Sequence, residues 1–506
     1  MRKQIIIASI TSLLLVSLAA FFPAPSWQSK FVKQLPNGKL VYIPDEKGTI
    51  LPDFSLVGYR AGNIPIPAVR VVKTISPSID AEKNIQSAIN ELATQPVDQN
   101  GFRGAILLKK GTYIIQDKLF IGTSGIVLRG EGNDTKLVAA GIVNRPLIDV
   151  AGKGRIEQIK GTRTKITDAY VPVGARSFNV ESAAALKAGD NIILYRPATE
   201  EWIHDLKMDQ IVERPGTKQW KTTEYNLQYE RVITKIEGNK IFIDNPVVMA
   251  MEPRYGLGEV FKYTFTGRLS NVGIEDLYCE SEYLSDTAEN HSWDAVSFDK
   301  IENGWVRNVN ARYFAYACVH LNPWAKNISV LNCGCYDHKS VITGGRRYSF
   351  CNEGQQNLVM NCNATDGRHD FVTQARTCGP NVFYNCTAKR THADIGPHHR
   401  WSSGTLYDNI VTDGEINIQD RGNMGSGHGW VGVTQILWNC KAKRVAVQSP
   451  WANGKNYCIG LTGSKYPGHF KDRPDGEWEG QNKAGLQPAS LYMAQVKERQ
   501  SAKKSL

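Results

Sequence analysis

The chain has 506 residues, of which 42% are hydrophobic, and it carries a formal charge of +11. This length and apolar content are enough for one extended core or two compact ones. The positive charge indicates an anionic partner, such as nucleic acid, a membrane surface or an acidic glycan. The sequence contains no helix-turn-helix, zinc-finger or RNA-binding motif, so we expect no nucleic-acid partner.

Residues 1–25 are predicted to be a signal peptide. Arg2 and Lys3 precede an apolar stretch from Ile5 to Phe22, an order that is typical of export signals. An uncleaved membrane anchor is the alternative, because the stretch approaches the length of a membrane span. We expect a secreted or periplasmic protein with no stable membrane insertion after the signal is removed. Residues 26–75 form a proline-containing lead-in with little pattern.

The first patterned element follows this lead-in. The segment from Asp80 to Asn90 predicts a short amphipathic helix, and glycine-punctuated β runs come next, at Gly104–Leu108, Gly111–Ile115 and Gly125–Gly132. This helix, the Gly-Thr-Tyr turn and the Val-Leu-x-Gly-x-Gly run resemble the pectate-lyase-like superfamily. The resemblance implies an all-β, right-handed parallel β-helix with a short N-terminal capping helix. It implies no single reaction, because that superfamily contains lyases, hydrolases, epimerases and phage tail spikes.

A repeat appears in the second half of the chain. Residues from about 165 to 262 are predicted to form a small inserted β module. After it, asparagines recur at positions 308, 332, 361, 385, 409 and 439, each followed by an apolar residue or a cysteine. Spacings of 24 to 30 residues are typical of β-solenoid coils, and they predict an asparagine ladder beside a buried column containing Cys333, Cys362, Cys386 and Cys440. Disulfides between some stacked cysteines are the alternative. We place the solenoid at 76–465 and a polar, partly helical tail at 466–506.

Aligning the coils on their first apolar residues suggests a functional face. With Val341, Phe371, Ile395 and Ile416 as inward anchors, side chains at odd offsets should face solvent. Four arginines, Arg346, Arg376, Arg400 and Arg421, share one such offset and predict a track for carboxylates or sulfates. The alternative is a solvated face in which they pair with Asp420, Asp413 or turn carbonyls. The predicted substrate-binding residues are Arg346, Arg376, Arg421, Gln374, Gln419, His392 and Trp401.

A second column is acidic. Asp370, Asp394 and Glu415 precede their anchors by one residue, so they should stack on adjacent coils and offer oxygen ligands to Ca²⁺. Pairing with Arg368 and nearby histidines is the alternative. The sequence contains no Cys/His spacing typical of zinc sites, so we expect no zinc.

The resemblance and the charged columns together favour a lyase. β-Elimination of a uronate glycan requires neutralisation of the carboxylate, a base for the adjacent C5 proton and an acid for the departing oxygen. The predicted catalytic residues are His398, Arg400, His369, Arg368 and Lys339. We therefore expect an exported, monomeric polysaccharide lyase that acts on an acidic polysaccharide. A glycoside hydrolase of the same fold and a non-catalytic glycan-binding solenoid are the alternatives.

Overall fold

Parallel strand pairing runs through most of the chain. The computed structural model describes residues 26–504, so the predicted signal peptide lies outside the described residues. The strands of successive coils stack into three parallel ladders, here called A, B and C. These ladders confirm the predicted parallel β-helix.

Each ladder takes about one strand from every coil. Ladder A contains Leu119–Ile121, Pro146–Ala151, Asp294–Asp299, Ala317–Leu321, Phe350–Asn352, Phe371–Thr373, Asp394–Pro397, Glu415–Ile418 and the second half of Lys441–Val447. Ladder B contains Val71–Ile75, Gly104–Leu108, Ile126–Arg129, the first halves of Gly273–Ser281 and Trp305–Arg312, Ser329–Leu331, Leu358–Met360, Cys378–Tyr384, Ser402–Asp408, Gly432–Trp438, Tyr457–Ile459 and Glu477–Glu479. Ladder C contains Gly111–Ile115, Thr135–Ala139, the second halves of Gly273–Ser281 and Trp305–Arg312, Gly334–Tyr336, Asn363–Thr365, Thr387–Lys389, Val411–Thr412, the first half of Lys441–Val447 and Thr462–Lys465.

The remaining solenoid elements are short. Leu269–Ser270, Ile301–Glu302 and Ala325–Lys326 pair as a small parallel sheet between the ladders. Isolated 3₁₀ turns occur at Tyr59–Gly62, Gly132–Asp134, Thr222–Glu224 and Pro253–Tyr255. The last strand of ladder B, Glu477–Glu479, extends the solenoid beyond the predicted boundary at residue 465.

The asparagine ladder forms at the bend between ladders B and C. The Nδ2 atom of Asn332 donates to Oδ1 of Asn308 at 3.2 Å, and Asn361 and Asn385 continue the chain at 3.2 and 2.7 Å. These asparagines have φ values between 52° and 56°, a left-handed conformation that asparagine tolerates better than most residues. The ladder therefore sets the same bend in successive coils.

The predicted cysteine column is buried. Cys333, Cys362, Cys386 and Cys440 are at most 1% exposed and share the apolar interior of the solenoid. All ten cysteines of the chain are free, so the disulfide alternative is wrong. The thiols act as small apolar packing residues.

Two elements outside the ladders shape the molecule further. The capping helix spans Ala81–Ala93 and buries Ile85, Ala88 and Ile89 against the first coils. The inserted module is an antiparallel sheet with its own core and a short helix, Glu200–Asp205. Its strands are Glu157–Gln158, Thr164–Lys165, Ser177–Asn179, Asn191–Arg196, Leu227–Glu237, Lys240–Ile243 and Glu259–Thr264.

The lead-in and the C-terminal segment lie together along ladder B. The lead-in contributes the strands Trp27–Gln28, Val32–Gln34 and Leu40–Tyr42, and the first of these pairs with Leu486–Gln487. Helix Leu491–Lys504 closes the chain. Apolar residues of both segments, such as Phe54 and Leu491, pack on the outer side of ladder B in one cluster with Leu406, Ile436 and Trp438. No helix within residues 26–504 is long and apolar enough to cross a membrane.

Candidate active site

A cavity of about 740 Å³ opens beside ladder A, and the inserted module supplies part of its wall. Its basic lining residues are Arg214, Arg368, Arg421, His398, His399 and His428. Arg214 belongs to the module, Arg368 precedes the ladder A strand Phe371–Thr373, and the other four follow ladder A strands of the next two coils. The cavity thus gathers cations and imidazoles from three coils and the module. Four of the predicted residues, Arg368, Gln374, His398 and Arg421, lie in this lining.

The predicted register fails at its first anchor. Phe350 pairs with Phe371 in ladder A, so the anchor of that coil is Phe350, and Val341 lies in a loop before the strand. The longer coil between Cys333 and Cys362 contains this loop. Arg346, counted from the wrong anchor, lies outside the cavity lining and pairs with Glu289 at 2.7 Å.

The predicted arginine track is also wrong. The backbone N–H of Arg376 donates to the carbonyl of Arg400 at 2.8 Å, so these two arginines do stack. Both have left-handed φ values, 56° and 52°, because they lie in turns after the ladder A strands, where the alternation of strand faces no longer holds. The Arg376 guanidinium lies over the Tyr225 ring at 5.6 Å. Of the four arginines, only Arg421 reaches the cavity lining.

Arg400 holds the loop that carries His428. Its Nη2 atom donates to the carbonyl and the hydroxyl of Ser426 at 2.9 and 2.8 Å. Its backbone N–H donates to the carbonyl of His428 at 3.0 Å. Arg400 therefore positions a cavity residue and does not itself line the cavity, contrary to the prediction that it contacts the substrate.

His398 is held by two polar groups in the cavity wall. Nη1 of Arg421 lies 3.2 Å from its Nδ1, and the hydroxyl of Tyr348 lies 3.0 Å from its Nε2. A guanidinium only donates hydrogen bonds, so Nδ1 accepts, and the neutral ring carries its proton on Nε2 and donates it to the Tyr348 oxygen. Burial and the neighbouring His369 and Arg421 hold the pKa of His398 well below its usual value. The tyrosine proton is then free to point elsewhere.

His399 and His428 form a second imidazole pair at 4.9 Å between ring centroids. The Nδ1 atom of each is buried without a hydrogen-bond partner. Burial and nearby cationic groups lower the pKa of His399 to about 2 and that of His428 to about 3. Neighbouring residues of a strand face opposite sides, yet His398 and His399 both line the cavity, because the strand ends at Pro397.

Arg421 forms a buried ion pair with Asp394. Asp394 lies 3.5 Å from Nη1 of Arg421 and 3.2 Å from Nδ1 of His369. Burial favours the protonated acid, but Arg421 and His369 outweigh it and hold the pKa of Asp394 far below its usual range. His369 is 1% exposed, so it acts on the cavity through its ring contact with His398 at 4.4 Å. It is thus a positioning residue and not the proton-transfer group we predicted.

Tyrosines, a glutamine and a carboxylate also line the cavity. Burial raises the pKa of Tyr348 to about 12, against the opposing effect of Arg368. Gln374 donates to the hydroxyl of Tyr316 at 3.2 Å. Glu353 is the one carboxylate in this lining among residues 26–504.

Besides Arg346 and Arg376, three more predicted substrate-binding residues lie outside the cavity lining. Trp401 is fully buried against Trp202 of the module at 5.0 Å between ring centroids, which leaves no face for a sugar. Gln419 is 5% exposed and accepts from the backbone N–H of His469 at 2.7 Å. His392 lies 3.9 Å from Asp366 on another part of the surface. Their roles are packing and surface pairing.

Lys339, predicted as a catalytic residue, also lies outside the cavity lining. Its Nζ donates to Asp286 at 2.8 Å, and this hydrogen bond raises the pKa of Lys339. A lysine with a raised pKa stays protonated at neutral pH and cannot serve as a base.

Asp394 and Glu415 pair in register on adjacent coils, but each of the three predicted calcium ligands already has a protein partner. Asp370 accepts from Ser349 at 2.6 Å, and burial raises its pKa to about 7. Glu415 pairs with Arg444 at 2.5 Å, and Asp394 with Arg421 as described. Ca²⁺ would have to displace these partners, and its binding here stays a prediction.

Sequence reasoning missed Tyr348, Glu353, Arg214 and Tyr316. Tyr348 precedes Phe350, the true anchor of a coil that the prediction had anchored at Val341, and Arg214 comes from a module without repeats. His428, in the loop after Glu415–Ile418, was not among the predicted catalytic residues either. These residues come from adjacent coils and from the inserted module, so no single segment of the sequence contains a motif that predicts the cavity.

No protein-family model and no curated protein matches the chain. Solved structures similar to it include the tailspike protein gp49 of Pseudomonas phage LKA1, at 13% identity and a TM-score of 0.39, with 78% of this chain and 70% of that chain covered. An alginate lyase of Paenibacillus sp. str. FPU-7 has 10% identity and a TM-score of 0.40, with 82% and 99% covered. The catalytic domain of a GH87 α-1,3-glucanase has 12% identity and a TM-score of 0.39, with 79% and 55% covered. Similarity at this level carries no argument about the reaction.

Proposed function

We propose that this protein is an exported, monomeric lyase that cleaves uronate-containing polysaccharides by β-elimination in the cavity beside ladder A. One observation supports the proposal above the others. A tyrosine hydroxyl, neutral imidazoles and arginine side chains meet on the walls of a single cavity. These are the acid, the base and the cations that the reaction requires.

The arginines are suited to bind the uronate carboxylate. Arg214, Arg368 and Arg421 line the cavity with Glu353 as the single opposing carboxylate among the described residues. Arginine presents a planar set of donors that matches a carboxylate. Neutralising the carboxylate makes the C5 proton more acidic, because the negative charge that develops there is stabilised.

We assign the base to His428. Its ring lines the cavity and its low pKa, about 3, keeps it neutral at physiological pH. Much of that low value comes from burial and from Arg421 and Arg400. An anionic substrate bound to Arg421 offsets this positive field and therefore raises the basicity of the imidazole. Substrate binding therefore makes His428 a stronger base.

We assign the acid to Tyr348. With a pKa of about 12 it is protonated, and its proton is free because His398 donates to its oxygen. The base takes the C5 proton, the C5–H electrons form the C4–C5 double bond, the C4–O bond breaks, and the departing oxygen takes the Tyr348 proton. The resulting tyrosinate is stabilised by the Nε2–H of His398 and by Arg368 and Arg421.

The two alternatives make different demands on the cavity. A glycoside hydrolase usually needs two carboxyl groups on either side of the scissile bond, and Glu353 alone lines the cavity within residues 26–504. A non-catalytic binding protein needs the arginines but no acid–base pair. The observed groups favour the lyase over both.

The test is incubation of the mature protein with a panel of uronate polysaccharides, read by ultraviolet absorbance and by a reducing-end assay. A lyase forms an unsaturated product that absorbs, and each cleavage also gives a reducing end. Reducing ends without absorbance indicate a hydrolase, and neither signal with retained binding indicates a binding protein. His428→Ala should abolish the absorbance, whereas His392→Ala, which removes a histidine outside the cavity, should not.

A further inference from the structure

A second group of polar side chains borders the same cavity. His320 lies on Ala317–Leu321 and pairs in register with Cys351 on the next coil, and Glu353 follows two residues later. One donor atom from each of these side chains lies within 4.8 Å of the other two. Among residues 26–504 this is the one such group of three or more histidine, cysteine, aspartate or glutamate side chains.

Carboxylates lie near both ring nitrogens of His320. Its Nε2 lies 2.9 Å from Glu353, while its Nδ1 lies 3.6 Å from Oδ2 of Asp294. Asp294 is 9% exposed, and its other oxygen, Oδ1, is buried without a hydrogen-bond partner. A carboxylate on the far side of an imidazole fixes the ring so that the opposite nitrogen faces a metal. Asp294 and His320 have this arrangement.

We propose that His320, Cys351 and Glu353 bind a zinc ion whose remaining coordination position opens to the cavity. An imidazole, a thiolate and a carboxylate are ligands that zinc accepts together, and three protein ligands with one open position are typical of catalytic zinc sites. Ligand atoms around tetrahedral zinc lie roughly 3 to 4 Å apart, so small side-chain rotations close the site.

The cavity contributes the open side of this site. Glu353 and two neighbours of the Cys351 thiol, Tyr316 and Gln374, are lining residues. The Tyr316 hydroxyl lies 3.4 Å from Cys351 Sγ and the Gln374 amide nitrogen lies 3.5 Å from it. A ligand in the cavity can therefore reach the metal. A role for zinc in polarising a substrate oxygen rests on the proposed function, whereas zinc binding itself does not.

No spacing in the sequence predicts this site, because its ligands come from different coils. Only Cys351 and Glu353 are neighbours in the chain, and His320 is supplied by strand stacking. The spacing rules for zinc describe ligands within one short segment. They do not apply to a solenoid, where residues a full coil apart lie side by side.

The experiment measures metal binding without any substrate. The mature chain is stripped with a chelator, and Zn²⁺ is titrated in competition with a chromophoric chelator. Co²⁺ is then used as a spectroscopic probe, because a cysteine ligand gives an intense thiolate-to-cobalt absorption band. We expect one equivalent of tightly bound zinc and a thiolate band that Cys351→Ala removes. Asp294→Asn should weaken zinc binding by roughly 10- to 100-fold, the usual effect of losing such a supporting carboxylate.

Cys386→Ala is the matched control, because it removes a buried thiol from the core column and should leave the cobalt band intact. If Cys351→Ala does not fold, Glu353→Gln serves in its place with loss of zinc affinity as the readout. Absence of tight zinc binding, or a band equally affected by Cys386→Ala, overturns the proposal. Lyase activity without zinc binding would refute this inference alone, whereas zinc binding without lyase activity would refute the proposed function alone.

Discussion

Replacing Tyr348 by phenylalanine tests the proposed acid with little cost to the fold. The change removes one hydroxyl, whose described hydrogen bond joins it to Nε2 of His398 at 3.0 Å. The ring keeps its contacts with Tyr316 and His369 at 5.1 and 4.9 Å. Loss of one such hydrogen bond costs about 1 kcal/mol in the free energy of unfolding, which is small for a chain of this size.

The effect on turnover should be much larger. Loss of a general acid lowers the rate by about 10²- to 10⁴-fold, which corresponds to about 3 to 5 kcal/mol of activation free energy. Initial rates of ultraviolet absorbance on the best uronate substrate give the turnover, and thermal unfolding gives the stability. The expected result is a large fall in kcat beside a nearly unchanged melting temperature.

A matched control removes a tyrosine hydroxyl elsewhere. Tyr466 donates to Asn417 at 2.6 Å and lies outside the lining of the cavity, so Tyr466→Phe should keep full turnover. Tyr348→Phe with turnover within about threefold of the original chain, while folded, would show that another group protonates the departing oxygen. An equal loss in both variants would point to a general effect on the fold.

Three further predictions concern residues around the cavity. Trp401→Ala should lower the free energy of unfolding by about 3 to 5 kcal/mol, because it leaves a void between the solenoid and the module; an unchanged melting temperature would contradict this. Asp370, with its pKa raised to about 7 by burial, keeps a proton that the unfolded chain releases, so the free energy of unfolding should fall as pH rises from about 4 to about 7. Asp370→Asn should remove a decline of about 4 kcal/mol over the whole range, of which about 3 kcal/mol falls between pH 5 and pH 8. Urea unfolding at these two pH values that gives equal declines in both proteins would refute the assignment. If Ca²⁺ binds the acidic column, added calcium should raise the melting temperature and Asp394→Ala should abolish that rise, whereas no response to calcium would leave the column as a set of ion pairs.

The repeat made the fold predictable. Asn332, Asn361 and Asn385 occupy the same bend of successive coils, and Cys333 and its counterparts follow one residue later. Such residues contact their own equivalents one coil away, so a pattern along the sequence describes the packing directly. The capping helix was predictable because its apolar face has a helical period.

The site was less predictable because it lies where the repeat stops. His398, Arg400 and Arg421 follow the ends of ladder A strands, and their side-chain directions are set by turns with left-handed residues. A loop in one coil moved the anchor from Val341 to Phe350. Strand alternation therefore identified the right region but the wrong partners within it.

The contact between the lead-in and the C-terminal segment affects how the solenoid unfolds. In a stack held only by neighbour contacts, coils can fray one at a time from an open end. Here the lead-in pairs with Leu486–Gln487, and Phe54 and Leu491 share one apolar layer over Leu406 and Ile436 of two successive coils. Separation of the final coil therefore requires the lead-in and the C-terminal segment to leave the outer side of ladder B together. These contacts along ladder B link successive coils to one another, so we expect the solenoid to unfold in a single cooperative transition.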